Sequence, residues 1–187
     1  MSRAVLIMGT NGSGKSSVMR EILGTDYETR ENIVSKYVVN ESTHRIAVGK
    51  YSNDCGGCDT VRTVFRVYNQ VDYLCRTYPE YDVFFEGVLL SGVFNSVANL
   101  LMELSLHHGR NVSVNLLWTD PYTCVSRVLQ RNGGKQVNQS NIVDKCRAAQ
   151  STFRKHRDLQ LYECRAFDTT RMTPQEIARS ILIGGNA

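Results

Sequence analysis

The chain alternates short apolar runs with longer stretches of helical spacing. Residues 4–8 (Ala-Val-Leu-Ile-Met) are apolar throughout, as in a parallel strand buried on both faces. Weaker extended patterns occupy 36–39 and 44–51, the latter with Ile46 and Val48 on one side, and further apolar runs lie at 83–85, 112–118 and 165–167. Between them the period changes to that of helices. Residues 17–23 are stopped by Gly24, and Val61, Val64, Phe65, Tyr68, Val71 and Cys75 form one stripe, which Asp59 or Thr60 would cap. A second stripe, Val93, Val97, Leu100, Leu101 and Leu104, follows Gly92 and closes at His107-His108-Gly109. Asp120-Pro121 opens a helix to Gln130, a basic helix spans about 141–162, and Pro174 begins the last. This alternation predicts an α/β protein of three layers, a five-stranded parallel sheet with helices on both faces. Its 187 residues most simply form one domain.

Gly9-Thr10-Asn11-Gly12-Ser13-Gly14-Lys15-Ser16 joins the first strand to the first helix and satisfies G-x-x-x-x-G-K-[ST]. In that context the backbone amides from Thr10 to Ser17 and the positive end of the helix surround one anion-sized space. The expected ligand is the triphosphate of ATP, with Lys15 on the β- and γ-phosphates and the Ser16 hydroxyl on Mg²⁺. Other loops follow other strands and should meet this one along the same sheet edge, where ligands of such sheets bind. They bring Asp54 and Asp59, Glu86 and Asp120.

Composition narrows the setting. With 42% hydrophobic and 21% charged residues the chain is an ordinary globular one, and no apolar run approaches the ~20 residues of a membrane span. The first strand begins too early to leave room for a cleaved targeting peptide. Beside a nucleotide motif, the six cysteines read as reduced thiols, and the expected location is cytoplasmic. Cys55-Gly56-Gly57-Cys58 has the spacing of half a zinc site, but no second half is visible, and a flexible substrate loop accounts better for the glycines. The net charge of +4 is unevenly spread: residues 127–157 hold eight of the 22 Lys/Arg and one of the 18 Asp/Glu. That segment should face something anionic, ATP or a nucleic-acid backbone.

The order of GTNGSGKSS, VFFEG, RVLQR and DTTRMTPQEI resembles the P-loop nucleoside and nucleotide kinases over nearly the whole chain. The loop GKYSNDCGGCDT further resembles phage-encoded kinases that phosphorylate 5-hydroxymethyluracil in DNA. The resemblance implies a helical lid at about 127–145, with Arg127 and Arg131, four apart on one helix face, closing over the transferring phosphoryl group. It also implies that the loop before Asp59 holds the acceptor. Asp59 then serves as acceptor-side base and Glu86 as a metal- or substrate-holding carboxylate, although their roles are exchangeable. Tyr51, Asp54 and Arg62 complete the acceptor side, an aromatic ring offering a stacking surface for an extruded base. A free deoxynucleoside or deoxynucleoside-monophosphate kinase is the alternative, and a nucleotide-regulated binding protein without transfer activity is a third.

Overall fold

The computed structural model describes residues 1–51, 56–61 and 63–184. Seven strands form one sheet in the order β2-β3-β4-β5-β1-β6-β7. They are β1 (Arg3–Met8), β2 (Glu28–Glu31), β3 (Lys36–Asn40), β4 (Arg45–Val48), β5 (Asp82–Glu86), β6 (Asn111–Trp118) and β7 (Glu163–Asp168). The expected five-stranded parallel sheet is therefore corrected. Strands β4, β5, β1, β6 and β7 are parallel neighbours, but β2 and β3 add an antiparallel ribbon, so the sheet is mixed. The added β2 has the sequence ETRE and faces solvent along most of its length, so it carries no apolar alternation.

The helices are α1 (Lys15–Leu23), α2 (Val64–Thr77), α3 (Val88–Ser91), α4 (Phe94–His108), α5 (Pro121–Arg131), α6 (Gln139–Leu159) and α7 (Pro174–Ile183). Side chains alternate along β1, so Val5 and Ile7 meet α1 and α7 on one face. Ala4, Leu6 and Met8 meet α2, α4 and α6 on the other. Phe84 and Phe85, adjacent on β5, are both fully buried for the same reason and sit in the two opposite layers. Replacing either by alanine should cost about 3–5 kcal/mol. A smaller apolar cluster, Cys124, Val125, Val128, Ile142 and Cys146, joins α5 to α6.

Two charged residues tie the layers together. Arg3 forks onto Asp82 at the start of β5, with Nη2 2.6 Å from Oδ2, and also donates to the carbonyls of Ile181 and Leu182 at the end of α7. Arg110 donates to the carbonyls of Cys75 and Tyr78, which the end of α2 leaves unpaired within the helix. No helix among the described residues is long and apolar enough to cross a membrane. Because the five core strands are parallel, their carboxyl ends open at one edge, and everything with chemistry gathers there.

Candidate active site

The phosphate loop leaves β1 at Gly9, whose N–H donates to Ser91 Oγ at 2.9 Å. Ser91 Oγ in turn donates to the Gly9 and Gly87 carbonyls, so the end of α3 holds the loop's entry. Gly12 has φ +79°, and a Cβ there would lie 2.5 Å from the Cys124 carbonyl oxygen, so this position must be glycine for α5 to come so close. Ser13 turns inward and donates to the Thr10 carbonyl at 2.9 Å; its hydroxyl does not face the phosphate space. Lys15 Nζ donates to the same carbonyl at 3.1 Å.

Register brings the carboxylate to this loop: Ile7 of β1 pairs with Glu86 of β5. Glu86 is 0% exposed, with Oε1 accepting from Ser16 Oγ at 3.0 Å and Oε2 lying 3.9 Å from Lys15 Nζ. At that separation the ammonium attracts Oε2 but does not hydrogen-bond it, and Oε2 has no hydrogen-bond partner. Burial pushes the Glu86 carboxyl up to about 7, Lys15 pulling the other way. An orphaned carboxylate oxygen beside a serine hydroxyl is a hard-oxygen donor set, and it fits Mg²⁺ held by Ser16 and Glu86.

A cleft of about 320 Å³ opens above the loop. Thr10, Asn11, Gly12, Gly14, Lys15, Ser16 and Ser17 form its floor, and Arg20, Arg127 and Arg131 add cationic walls. Gly56, Asp59 and Val88 close the far side. Arg127 is fixed in place: Nη1 donates to the Gly12 carbonyl at 3.3 Å and to Thr169 Oγ1 at 3.1 Å, and Nη2 to the Thr169 carbonyl at 2.9 Å. Arg131, one turn on along the same helix, also lines the cleft. The segment after it is a turn, with the Gly134 N–H donating to the Leu129 carbonyl at 2.8 Å.

Asp59 sits on a 3₁₀ turn, Gly57–Thr60, and not at the start of α2. Thr63 caps α2, accepting from the Arg66 N–H. The Asp59 Oδ1 instead accepts from the N–H groups of Val88 (2.8 Å) and Leu89 (3.4 Å), at the start of α3. The turn lies directly on Glu86: at Gly57, with φ +69°, a Cβ would fall 2.5 Å from Glu86 Oε1. Gly57 thus lets this turn rest on Glu86, and at Gly56 a Cβ would fall 2.7 Å from the Lys50 carbonyl oxygen. Cys58 is buried, and burial holds its thiol well above the ordinary range.

Other expected residues are placed differently. Tyr51 is 2% exposed and packs in the core with Phe84 and α1, so its ring is not a stacking surface. Asp120 caps α5, accepting from the Thr123 N–H at 2.9 Å. Asp54, Arg62 and Cys55 lie outside the described residues. Sequence reasoning missed Ser91, Thr169 and Arg20. For Arg20 a signal existed: it stands four residues after Ser16 on the same helix and therefore on the same face.

The family model for 5-hmdU DNA kinase matches residues 3–168, most of the chain and every element around the cleft. The chain belongs to this family. It is 31% identical over 163 residues to 5-hmdU DNA kinase 1 of Salmonella phage ViI, covering 82% of this chain and 70% of that protein. It is 28% identical over 167 residues to the 5-hmdU DNA kinase of Pseudomonas phage PaMx11, covering 82% and 84%. Among solved structures, the Bacillus subtilis YorR protein in complex with phosphorylated GDP matches with TM-score 0.57, 11% identity and coverage of 97% and 95%. The Deinococcus radiodurans tunicamycin resistance protein matches with TM-score 0.56, 15% identity and coverage of 100% and 96%. At those identities the structures bear on fold alone. Family membership makes the chain a kinase of the 5-hmdU DNA kinase family.

Proposed function

We propose that the protein transfers the γ-phosphoryl group of ATP to the hydroxymethyl oxygen of 5-hydroxymethyluracil in DNA, with Mg²⁺ bound to the nucleotide. The observation that carries this is one cationic cleft with the phosphate loop on its floor and a lone exposed carboxylate, Asp59, on the opposite wall. Donor phosphates and an acceptor hydroxyl can face each other across it.

In this reading the hydroxymethyl oxygen attacks the γ-phosphorus in line while its proton passes to an Asp59 oxygen. The new O–P bond forms as the bond from phosphorus to the β,γ-bridging oxygen breaks, and ADP departs with that electron pair. Lys15 and Arg127, with Arg131, face the charge that spreads over the equatorial oxygens. Ser16 and Glu86 would hold Mg²⁺, whose role is to neutralise phosphate charge. Burial supports this division of labour: Glu86 lies beneath Ser16, whereas Asp59 stands on the open wall. The adenine is assigned to an adjoining space of about 240 Å³ between Arg127 and Met172, Pro174 and Ile177, which shares Gly14 and Ser17 with the phosphate site. The apolar wall of Met172, Pro174 and Ile177 suits a flat base.

The segment 127–145 acts as the lid in this scheme, within a single kinase domain. DNA as the acceptor is supported by the exposed Lys145, Arg147, Arg154, Lys155 and Arg157 on α6. ATP supply places the reaction in the cytoplasm. Incubation with γ-labelled ATP and a panel of hydroxymethyluracil DNA, ordinary DNA, 5′-hydroxyl ends and free nucleosides tests the reading. Label confined to hydroxymethyluracil DNA supports it; label on free nucleosides alone replaces it with a nucleoside kinase.

A further inference from the structure

The antiparallel ribbon that extends the parallel sheet at one edge forms one wall of a second cleft, about 240 Å³ in volume. Lys36 and Val34 come from the ribbon, Lys50 from the chain beyond β4, and Arg66 from α2; Thr60 and Val61 close it. The acceptor-side turn divides the two spaces. Gly56 and Asp59 face the phosphate cleft, and Thr60 and Val61, next along the same chain, face the second. Three cations and one carboxylate, Glu31, line this second space, with Lys36 Nζ 3.5 Å from Glu31 Oε2, so it remains net positive.

The tip of the ribbon is held rigidly. Asn32 Oδ1 accepts from the N–H groups of Val34 (2.9 Å) and Ser35 (3.0 Å), and Arg66 Nη2 donates to the Val34 carbonyl at 2.8 Å. The turn so fixed presents Ile33, 97% exposed, and Phe65 beside Arg66 is 72% exposed. A single exposed apolar residue needs no explanation. Here each adjoins in sequence a residue that lines the cationic cleft, Val34 and Arg66, and that cleft shares a wall with the candidate base.

We propose that this cleft holds the backbone of duplex DNA flanking the modified base, and that Ile33 enters the base stack when that base is turned out toward Asp59. The inference rests on DNA being the acceptor. The C5 hydroxymethyl group of a stacked base projects into the major groove, and turning the base out would carry that group into the cleft that Asp59 shares with the phosphate loop. An apolar side chain that takes its place in the stack offsets part of the lost stacking, and lysines on the neighbouring phosphates fix the register.

The test compares wild type, Ile33→Ser and the double variant Lys36→Ala/Lys50→Ala on hydroxymethyluracil in a duplex and in the same strand alone. Salt is varied between 50 and 200 mM, and ATP affinity serves as the folding control. The double variant is expected to raise KM for duplex about tenfold and to flatten the slope of log KM against log salt by about two. Ile33→Ser is expected to lower the duplex-to-single-strand ratio of kcat/KM about tenfold. If both variants keep the wild-type salt slope and ratio, the inference is overturned. If wild type itself labels only free nucleosides, the DNA reading fails first and takes the inference with it; the wild-type arm alone reports that outcome.

Discussion

The two walls of the active cleft are built in opposite ways. The donor side is one continuous stretch, Gly9 to Ser17, whose shape is set by its own glycines and the helix it opens. The side proposed for the acceptor is assembled from pieces far apart in the chain, a turn at Gly57–Thr60 and the start of α3. Lys15 and Ser16 lean on a fully buried carboxylate, while Asp59 is held by two backbone N–H groups at the mouth of a one-turn helix. A segment fixed by local geometry suits chemistry shared by many kinases. An assembled wall can be rebuilt for a new acceptor without disturbing that chemistry.

If this contrast is right, donor-side changes should abolish turnover with little effect on KM for the acceptor. Lys15→Met keeps the buried apolar stem and removes the charge; kcat should fall on the order of 10³-fold, with a melting temperature close to wild type. A loss confined to KM would break the comparison at its stronger end. Asp59→Asn tests the other wall. Asparagine caps helices about as well as aspartate, so α3 should stay in place and stability should move by less than about 0.5 kcal/mol. Removing the proton acceptor should nonetheless lower kcat about 10²-fold. Full activity in Asp59→Asn would reduce that residue to a cap.

The same contrast explains what could be read from the sequence. The loop between β1 and α1 was legible from its motif, because glycines, a lysine and a serine stand at fixed spacing within one segment. The central strands β5, β1 and β6 were legible because each is buried on both faces. Strand β2 was not: its ETRE sequence lies at the sheet's edge and buries neither face, so pairing with β3 leaves no trace in the hydropathy. Asp59 was found as a candidate but assigned to the wrong helix. Thr63 satisfies the capping pattern for α2, and the bond from Asp59 to Val88 joins residues 29 apart in sequence. Tyr51 looked like a rim aromatic beside a polar loop, yet it fills the core between α1 and the sheet. Ser91 accepts from the Gly9 N–H and Thr169 from the Arg127 guanidinium, contacts between distant segments that no local pattern announces.

A smaller effect probes where the two walls touch. Gly57→Ala places a methyl group at φ +69° and 2.5 Å from Glu86 Oε1, so the turn must lift off the carboxylate. We expect a stability loss of about 1–3 kcal/mol and a fall in kcat/KM of about tenfold, measured by thermal melts and by DNA labelling. Gly92→Ala is the control, since a Cβ there meets nothing within 4 Å, and both quantities should stay near wild type. Equal behaviour of the two variants would mean that the contact between turn and carboxylate does not hold the acceptor wall in position.

The smallest effect is a pH dependence that sets Glu86 on the donor wall against His156, which lies outside both. In metal-free buffer without nucleotide, Glu86 has its carboxyl raised to about 7 from an ordinary 4.5. Between those values the native state holds more protons than the unfolded chain, so this group adds stability as pH falls. His156 is fully buried, with Nδ1 2.5 Å from Tyr162 Oη, and burial lowers its pKa to about 4 from 6.5. There the unfolded chain holds the extra proton, and stability is lost as pH falls. Carboxylates held low by hydrogen bonds, such as Asp168 and Glu176, act mainly below this window. Between about pH 6.5 and 4.5 the two slopes, each at most about 1.4 kcal/mol per pH unit, oppose each other, and the wild-type curve should be nearly flat. Glu86→Gln should expose the falling limb of His156, and His156→Gln the rising limb of Glu86, in denaturant titrations at stepped pH. A Glu86→Gln curve as flat as wild type would show that the buried carboxylate does not take up the proton, and that Lys15 alone keeps it ionised.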